Sequence, residues 1–276
     1  MDVKLLNNDD AYFAYKALSA SQIKTFDKSK HEFWMHSPFN PNKAPEKETD
    51  ALIFGKLTHC ILLEPEEVHK RFLVMDWGTK SRGVKYEDAK LMNPGKIIVS
   101  PAEYDKAMKM LANVRSHPLA CQIISGAMCE VPFTWNDELT GLPCKCKMDA
   151  IKNTRSGLVI VDYKTSSDIA GVLRWAEKLQ YPLQDAFYCE GAKAKYGEEP
   201  VEFVFIIQSS NEGEEDVVAV VNVDYESRVA AKDILQARKI GIKDYLDRWE
   251  ETHDPFVWSD YPERVTMGYS NWYLKI

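Results

Sequence analysis

Residues 148–167 read MDAIKNTRSGLVIVDYKTSS. Two apolar segments flank a polar turn, which is typical of a β-hairpin. Charged side chains nevertheless interrupt both segments: Asp149 stands in the first, and Asp162 and Lys164 follow Val-Ile-Val in the second. Because charged groups are rarely buried unless they are paired or bind an ion, these residues indicate a functional site at one end of the hairpin.

The alternation of side chains along a strand places Asp162 and Lys164 on the same face as Ile160. If the turn is centred between residues 154 and 155, Asp149 stands opposite Ile160 and faces the same side. Two neighbouring carboxylates repel each other unless a cation lies between them, and oxygen ligands suit Mg²⁺ or Mn²⁺. The pattern therefore predicts a metal site beside Lys164. The alternative is an exposed strand end that carries an Asp–Lys ion pair.

The composition of the 276-residue chain is that of an ordinary globular protein, with 45% hydrophobic residues and a net charge of −7. This charge argues against a uniformly basic nucleic-acid-binding protein but leaves room for a local basic groove. No apolar run approaches the roughly 20 residues of a transmembrane helix, and the first residues lack the pattern of a signal peptide. Six scattered cysteines suit a reducing compartment. We expect a cytoplasmic protein that does not bind a membrane.

Periodicity and capping signals predict an α/β domain with a mixed central sheet flanked by helices. The predicted helices cover 18–34, 51–65, 100–117 (with a capping box at its start), 169–197 (with a break or restart at Pro182) and 225–251, and the predicted strands cover 128–136, 143–165, 201–210 and 217–224. The polar segment 75–96 indicates a loop or flap. We expect one domain over 1–276, with a mostly helical part (1–127), a sheet that carries the site (128–224), and a C-terminal helix and tail (225–276).

Three further patterns accompany the hairpin. Gln184 and Tyr188 lie one helical turn apart in LQYPLQDAFYCEGA, residues 179–192. Gly55 and His59 have the same spacing in the apolar helix ALIFGKLTHCILLEP, residues 51–65, and Glu130 begins EVPF just before the hairpin. Together with GLPCKCKMDAI and LVIVDYKTS, this combination resembles the PD-(D/E)XK nuclease superfamily in its RecB/RecE-like branch. Within that branch, the chain resembles the RecE-type exonuclease VIII nuclease domains of phages and prophages.

The resemblance implies a set of metal ligands. Asp149 and Asp162 would bind Mg²⁺, for which Mn²⁺ would substitute, His59 would be an additional ligand, and the backbone carbonyl of Tyr163 another. Lys164 would activate the attacking water or stabilise charge in the transition state. For His59 the alternative is a core histidine whose hydrogen bonds are satisfied within the protein.

Other roles are also implied by the resemblance. Gln184 and Tyr188 would contact the DNA backbone or orient the lysine and the acids, although they could also only cover a helix face. Glu130 would line the pocket as a second-metal ligand or a hydrogen-bond partner, and its alternative is an exposed strand acid. The iron–sulfur members of the superfamily carry a cysteine cluster after the Gln-x-x-x-Tyr helix. No cysteine follows Cys189, so we expect no iron–sulfur cluster.

Basic residues near the hairpin are candidates for phosphate contacts, or else they only solvate a turn. They are Lys145, Lys147, Lys152 and Arg155, with Arg174 on the helix that follows.

The resemblance implies an Mg²⁺-dependent exonuclease acting on double-stranded DNA ends in the cytoplasm of a bacterial host cell. By the same resemblance it would digest from 5′ to 3′ and leave 3′ overhangs for a RecT-like single-strand annealing protein in phage-type recombination. It would work as a homotetrameric ring. The alternatives are a structure-specific or restriction-type endonuclease, or a non-catalytic module that binds DNA ends or a protein.

Overall fold

A mixed six-stranded sheet forms the centre of the computed structural model, which describes residues 4–5, 9–44, 49–78 and 83–261. The strands are β1 (Lys4–Leu5), β2 (Phe72–Val74), β3 (Ile97–Val99), β4 (Met128–Asn136), β5 (Pro143–Thr154), β6 (Gly157–Ser166), β7 (Glu202–Ser209) and β8 (Val218–Val221). Five long strands and the two-residue β1 lie in the order β1-β4-β5-β6-β7-β8. Within this sheet β6 and β7 are parallel and the other neighbours are antiparallel. β2 and β3 form a separate parallel pair.

Helices flank the sheet, so the predicted α/β class is confirmed. They are α1 (Asp9–Ala14), α2 (Ala20–Lys28), α3 (Lys30–His36), α4 (Asp50–Leu63), α5 (Val68–Arg71), α6 (Val84–Met92), α7 (Pro101–Ser116), α8 (Pro118–Ile124), α9 (Ile169–Arg174), α10 (Tyr181–Tyr196) and α11 (Tyr225–Thr252), with short 3₁₀ helices at Pro65–Glu67 and Pro255–Trp258. Among the residues described, no helix combines the length and the apolar character needed to cross a lipid bilayer.

Two predicted elements differ from the observed ones. The helix expected over 18–34 is divided at Ser29, which has extended backbone and whose hydroxyl caps α3 by accepting a hydrogen bond from the Glu32 N–H. The loop or flap expected over 75–96 is wrong for 84–92, because α6 forms there and buries Tyr86 and Ala89. The C-terminal helix begins and ends close to its predicted bounds, whereas the tail at 262–276 lies outside the described residues.

Both faces of the central sheet are buried against helices. On β6, Leu158 and Ile160 belong to a core that includes residues of α2, α3, α10 and α11. Val159, Val161 and Tyr163 lie in a second core, on the opposite face, with residues of α4 and α7. Side chains of helices on both faces of the sheet can therefore reach the end of β6.

The strands β5 and β6 separate at the charged residues, and the place where they separate, at Asp149 and Asp162, is called the fork below. β5 and β6 pair only from Thr154–Gly157 to Ala150–Val161. Asp149 and Asp162 are the next residues on the two strands, where β5 continues beside β4 and β6 continues beside β7. The predicted register is wrong by two residues, since the turn is centred one residue later and Ile151, not Asp149, stands opposite Ile160.

Strict alternation of side chains also fails at the fork. Met148 and Ile151 lie in the same core although they are three residues apart, while Ala150 lies in the other core. On β4, the residue between the paired positions 129 and 131 is Glu130, whose φ of 51° is in the left-handed region. In both β4 and β5, the side chains therefore switch from one face of the sheet to the other, at Glu130 and at Asp149. The prediction that Asp149 lies on the same face as Ile160, which assumed strict alternation, is wrong.

Candidate active site

Two carboxylates face each other across the fork. Asp149 Oδ2 accepts a hydrogen bond of 2.8 Å from the Tyr163 N–H. Asp162 is only 1% exposed; its Oδ1 accepts a hydrogen bond of 2.6 Å from Gln184 Nε2, and its Oδ2 lies 2.5 Å from Lys164 Nζ. The predicted hairpin residues are therefore in one place, and α10 brings Gln184 to them from one face of the sheet.

The helix α4 brings His59 from the opposite face. Its Nδ1 lies 3.6 Å from Asp149 Oδ2, and its ring meets the Tyr163 ring edge-on at 5.1 Å between centroids. Glu130, placed by the left-handed turn of β4, forms an ion pair with Lys147. The fork thus collects side chains from β4, β5, β6, α4 and α10.

Three of these groups lie close enough to bind one metal ion. Ligand atoms of His59, Glu130 and Asp149 all lie within 4.8 Å of one another. Asp162 is not one of these three groups; its oxygens contact Gln184 and Lys164. A set of one imidazole and two carboxylates fits a divalent cation that accepts nitrogen and oxygen ligands.

The electrostatics of the trio also fit a cation. Burial, and then the charge of Asp162, raise the pKa of Asp149 to about 7, despite the opposing effect of Lys164. Burial and the charge of Asp149 likewise raise the pKa of Glu130, against the effect of Lys147. Carboxylates whose pKa is raised by like charge gain most when a cation binds between them.

The basic groups of the site have opposite pKa shifts. Burial, followed by the charge of Lys164, lowers the pKa of His59 to about 4, so its ring is neutral at pH 7 and free to bind a metal. Burial alone would lower the pKa of Lys164, but Asp162 and Asp149 outweigh it and hold that pKa above the usual value. Lys164 is therefore a cation at neutral pH.

Tyr188 lies one turn after Gln184 on α10 and packs against the rings of Phe187 and Phe203. Its hydroxyl has a strongly raised pKa, first because of burial and then because of the charge of Asp162. Tyr188, Gln184 and Lys164 line the same cavity, so the predicted helix motif does face the site.

Three of the predicted phosphate contacts, Lys145, Lys147 and Lys152, have partners inside the protein. Lys145 is buried, and its ammonium donates to the carbonyl oxygens of Tyr12 and Tyr15, both at 2.8 Å. Lys147 pairs with Glu130. Lys145 thus ties α1 and the segment after it to β5, and Lys147 balances charge at the fork.

Lys152 and the remaining predicted contacts lie elsewhere. Lys152 donates to the carbonyls of Gln122 and Ser125 at the end of α8, both at 2.7 Å. Arg155 is exposed in the hairpin turn, about 20 Å from the fork at about 3.3 Å per strand residue. Arg174 is exposed at the last position of α9. None of these three is among the residues that surround the carboxylates.

One residue of the site, Lys24, was not predicted from the sequence. Lys24 on α2 donates a hydrogen bond of 2.8 Å to Gln184 Oε1, and burial, with the charge of Lys164 second, lowers its pKa to about 8. A single lysine on an amphipathic helix is usually part of the solvated face, so the sequence contains no signal that separates it from its neighbours.

Lys24 also borders a cavity whose lining includes Lys164 and Gln184. This cavity has a volume of about 1050 Å³ and lies between α10 and the helices α1, α2 and α3. Four of its lining residues are lysines: Lys24, Lys43, Lys145 and Lys164. The cavity therefore reaches the site at Lys164 and Gln184, and its lining contains more basic than acidic side chains.

Comparison with known proteins agrees with the fold. The model of a family described as "PDDEXK-like domain of unknown function (DUF3799)" matches residues 19–256. A solved structure from Eubacterium rectale, named "Putative exonuclease", is similar with a TM-score of 0.55 and 17% identity, over 83% of this chain and 82% of that one. A protein named SSO0001 is 14% identical over 76% of this chain and 85% of that one, and its TM-score of 0.31 supports no argument. No curated protein matches the chain.

Proposed function

Because the chain belongs to the PDDEXK-like family DUF3799, we propose that it is a metal-dependent deoxyribonuclease. The observation that carries the proposal is the convergence of His59, Glu130 and Asp149 beside the Asp162–Lys164 ion pair. Both parts of this arrangement suit the hydrolysis of a phosphodiester. The three ligands can hold a divalent cation, and the lysine supplies a fixed positive charge for the phosphate.

We assign the tasks of the residues from their contacts. His59, Glu130 and Asp149 would hold Mg²⁺, or Mn²⁺ in its place, with Asp162 and the Tyr163 carbonyl oxygen as further predicted ligands. A bound divalent cation polarises the phosphate and makes a water more acidic. Lys164 stays protonated because the neighbouring carboxylates raise its pKa, which favours stabilisation of charge on the phosphate oxygens over removal of a proton from water.

Duplex DNA with a free end is the substrate we propose. The cavity of about 1050 Å³ with four lysines in its lining is a suitable path for one nucleic-acid strand towards the carboxylates. The name of the Eubacterium rectale protein and the resemblance to the RecE-type branch favour exonucleolytic cleavage. From that resemblance we further propose 5′-to-3′ digestion that leaves 3′ overhangs for a single-strand annealing protein of phage-type recombination.

We also propose that one nuclease domain over 1–276 assembles into a closed homotetrameric ring in the bacterial cytoplasm. A chain with a net charge of −7 must gather its basic groups locally to hold DNA, and a ring would turn them inward. Size exclusion coupled to light scattering measures the mass. A single-chain mass at working concentration would contradict the ring and leave the nuclease proposal intact.

Digestion of linear and covalently closed circular duplex DNA, each with Mg²⁺ and with EDTA, tests the function. An exonuclease degrades only the linear DNA and only with the metal. Degradation of both DNAs would select the endonuclease, and degradation of neither, with Mg²⁺ or with Mn²⁺, would select a non-catalytic binding module.

A further inference from the structure

Gln184 lies between a cation and a carboxylate, and its amide contacts both. Lys24 Nζ donates to Gln184 Oε1 at 2.8 Å, and Gln184 Nε2 donates to Asp162 Oδ1 at 2.6 Å. An ammonium group only donates hydrogen bonds and an ionised carboxylate only accepts them. These two partners therefore permit one orientation of the amide.

We propose that Lys24 is a positioning residue of the candidate site, because it holds the Gln184 amide with its N–H group towards Asp162. This inference rests on the proposed nuclease function. Lys24 lies on α2, 160 residues before Gln184, and it was not among the site residues predicted from the sequence.

The fixed amide matters because Asp162 is almost fully buried, at 1% exposure. Its Oδ1 depends on the Gln184 N–H, and its Oδ2 faces Lys164 at 2.5 Å. If the amide rotated by half a turn, an amide oxygen would face the carboxylate. Asp162 would then lose a hydrogen bond in a buried place and would move relative to Lys164. Lys24 thus acts on the Asp162–Lys164 pair through Gln184, and within the described part of the chain it forms no hydrogen bond or ion pair with either residue.

The surroundings of Lys24 keep its ammonium in place. It lies 5.5 Å above the centre of the Tyr181 ring and close enough to Lys164 for that charge to lower its pKa, which stays near 8. At pH 7 Lys24 is therefore still mostly protonated. The ammonium groups of Lys24 and Lys164 repel each other. The hydrogen bond to the Gln184 oxygen and the negative charge of Asp162 offset this repulsion.

A double-mutant cycle separates this role from a direct contact between Lys24 and DNA. Lys24→Met and Gln184→Leu should each lower kcat roughly tenfold, with KM within about twofold of the native value, since both lose the same orientation of Asp162. The double variant should be no slower than the slower single variant. The control is Lys28→Met, which replaces an exposed lysine one turn further along α2. Its kcat and KM should equal those of the native enzyme.

The proposal would be overturned if Lys24→Met and Gln184→Leu lowered the activity independently of each other. If Lys24 binds a phosphate, its replacement raises KM, weakens the salt dependence of binding, and multiplies the loss caused by Gln184→Leu. Full activity of Lys24→Met would overturn it as well.

The side-chain amide of Gln184 gives a readout that does not need activity. Its ¹⁵N-labelled NH₂ signals are assigned as the pair missing from Gln184→Leu. They should exchange slowly in the native protein and in Lys28→Met, and exchange at least about tenfold faster in Lys24→Met. Unchanged signals in Lys24→Met would refute the positioning role. If the native protein cleaves no DNA, the proposed function fails, and these signals still decide what Lys24 does.

Discussion

The carboxylate of Asp149 accepts a hydrogen bond of 2.8 Å from the backbone N–H of Tyr163, although the two strands have already separated at that point. This bond holds Asp149 against β6, between the backbone positions of Asp162 and Lys164. The carboxylates are therefore brought together by the fold itself, before any cation binds. The repulsion that results has measurable consequences.

Asp149 should make the metal-free protein less stable as the pH rises. Its pKa is about 7 in the folded protein and about 3.9 in an unfolded chain, so the folded state binds the proton more tightly. The stability from this proton is fully present below about pH 4 and is lost between about pH 4 and 7, at a slope of at most about 1.4 kcal/mol per pH unit.

Asp149→Asn removes that dependence and keeps an oxygen that can accept from the Tyr163 N–H. In urea denaturation with EDTA, this variant should be less sensitive to pH than the native protein from pH 5 to 7 and more stable than it at pH 8. Parallel pH profiles of the two proteins would show that Asp149 is an ordinary exposed acid.

His59 should contribute to metal binding equally at pH 6 and pH 8. Its pKa near 4 means that the ring is neutral over this whole range, whereas an ordinary histidine titrates near pH 6.5. His59→Ala should weaken Mn²⁺ binding by at least roughly tenfold, the size of effect seen on removing groups that support a metal. Calorimetric titration with Mn²⁺ measures the factor at both pH values. A factor that falls to one at pH 6 would mean that the native ring has already been protonated there.

Lys164 should be needed for cleavage but not for metal binding. Lys164→Met is expected to lower kcat by roughly 10²–10³-fold, since it removes a charge directed at the phosphate, and to leave the Mn²⁺ affinity within about threefold. Asp162→Ala should lose cleavage and also weaken Mn²⁺ binding, because Asp162 is a predicted ligand. Lys90→Met, on the exposed end of α6, is the control. Normal cleavage by Lys164→Met would remove Lys164 from the mechanism.

Lys239 should be a structural residue. It is 0% exposed, and its ammonium pairs with Asp137 and, at 2.6 Å, with Glu190. Lys239→Met leaves the buried carboxylate of Asp137 and the half-buried carboxylate of Glu190 without their ion-pair partner, and it should lower the free energy of unfolding by about 3–5 kcal/mol. Lys243→Met, which breaks an exposed pair with Asp247 one turn away, should change it by no more than about 0.5 kcal/mol. Urea denaturation compares the two, and equal small changes would refute the structural role.

Signals that act over a few residues were visible in the sequence. The capping box at the start of α7 is present, with Ser100 Oγ accepting from the Glu103 N–H and Glu103 accepting from the Ser100 N–H. The hairpin, the α10 motif and β4 also lie where the pattern predicts. Each depends on neighbours in the chain or on a regular period.

The features that were missed depend on distant contacts. The left-handed backbone of Glu130 has no sequence signal, because glutamate rarely adopts it. The long side chains of Lys145 and Lys24 give no indication of their partners, which are backbone carbonyls near α1 for one and Gln184 for the other. The register of the hairpin failed because the position of its turn had to be assumed.

A metal-dependent nuclease site at the fork can be tested by measuring the release of acid-soluble nucleotides from linear duplex DNA, with the native protein and Asp149→Asn side by side. With Mg²⁺ the native protein should release nucleotides, EDTA should stop the release, and Asp149→Asn should be slower by at least about 10²-fold while remaining folded. Release that continues in EDTA, or that is equally fast in Asp149→Asn, would contradict a metal-dependent nuclease site at the fork between β5 and β6.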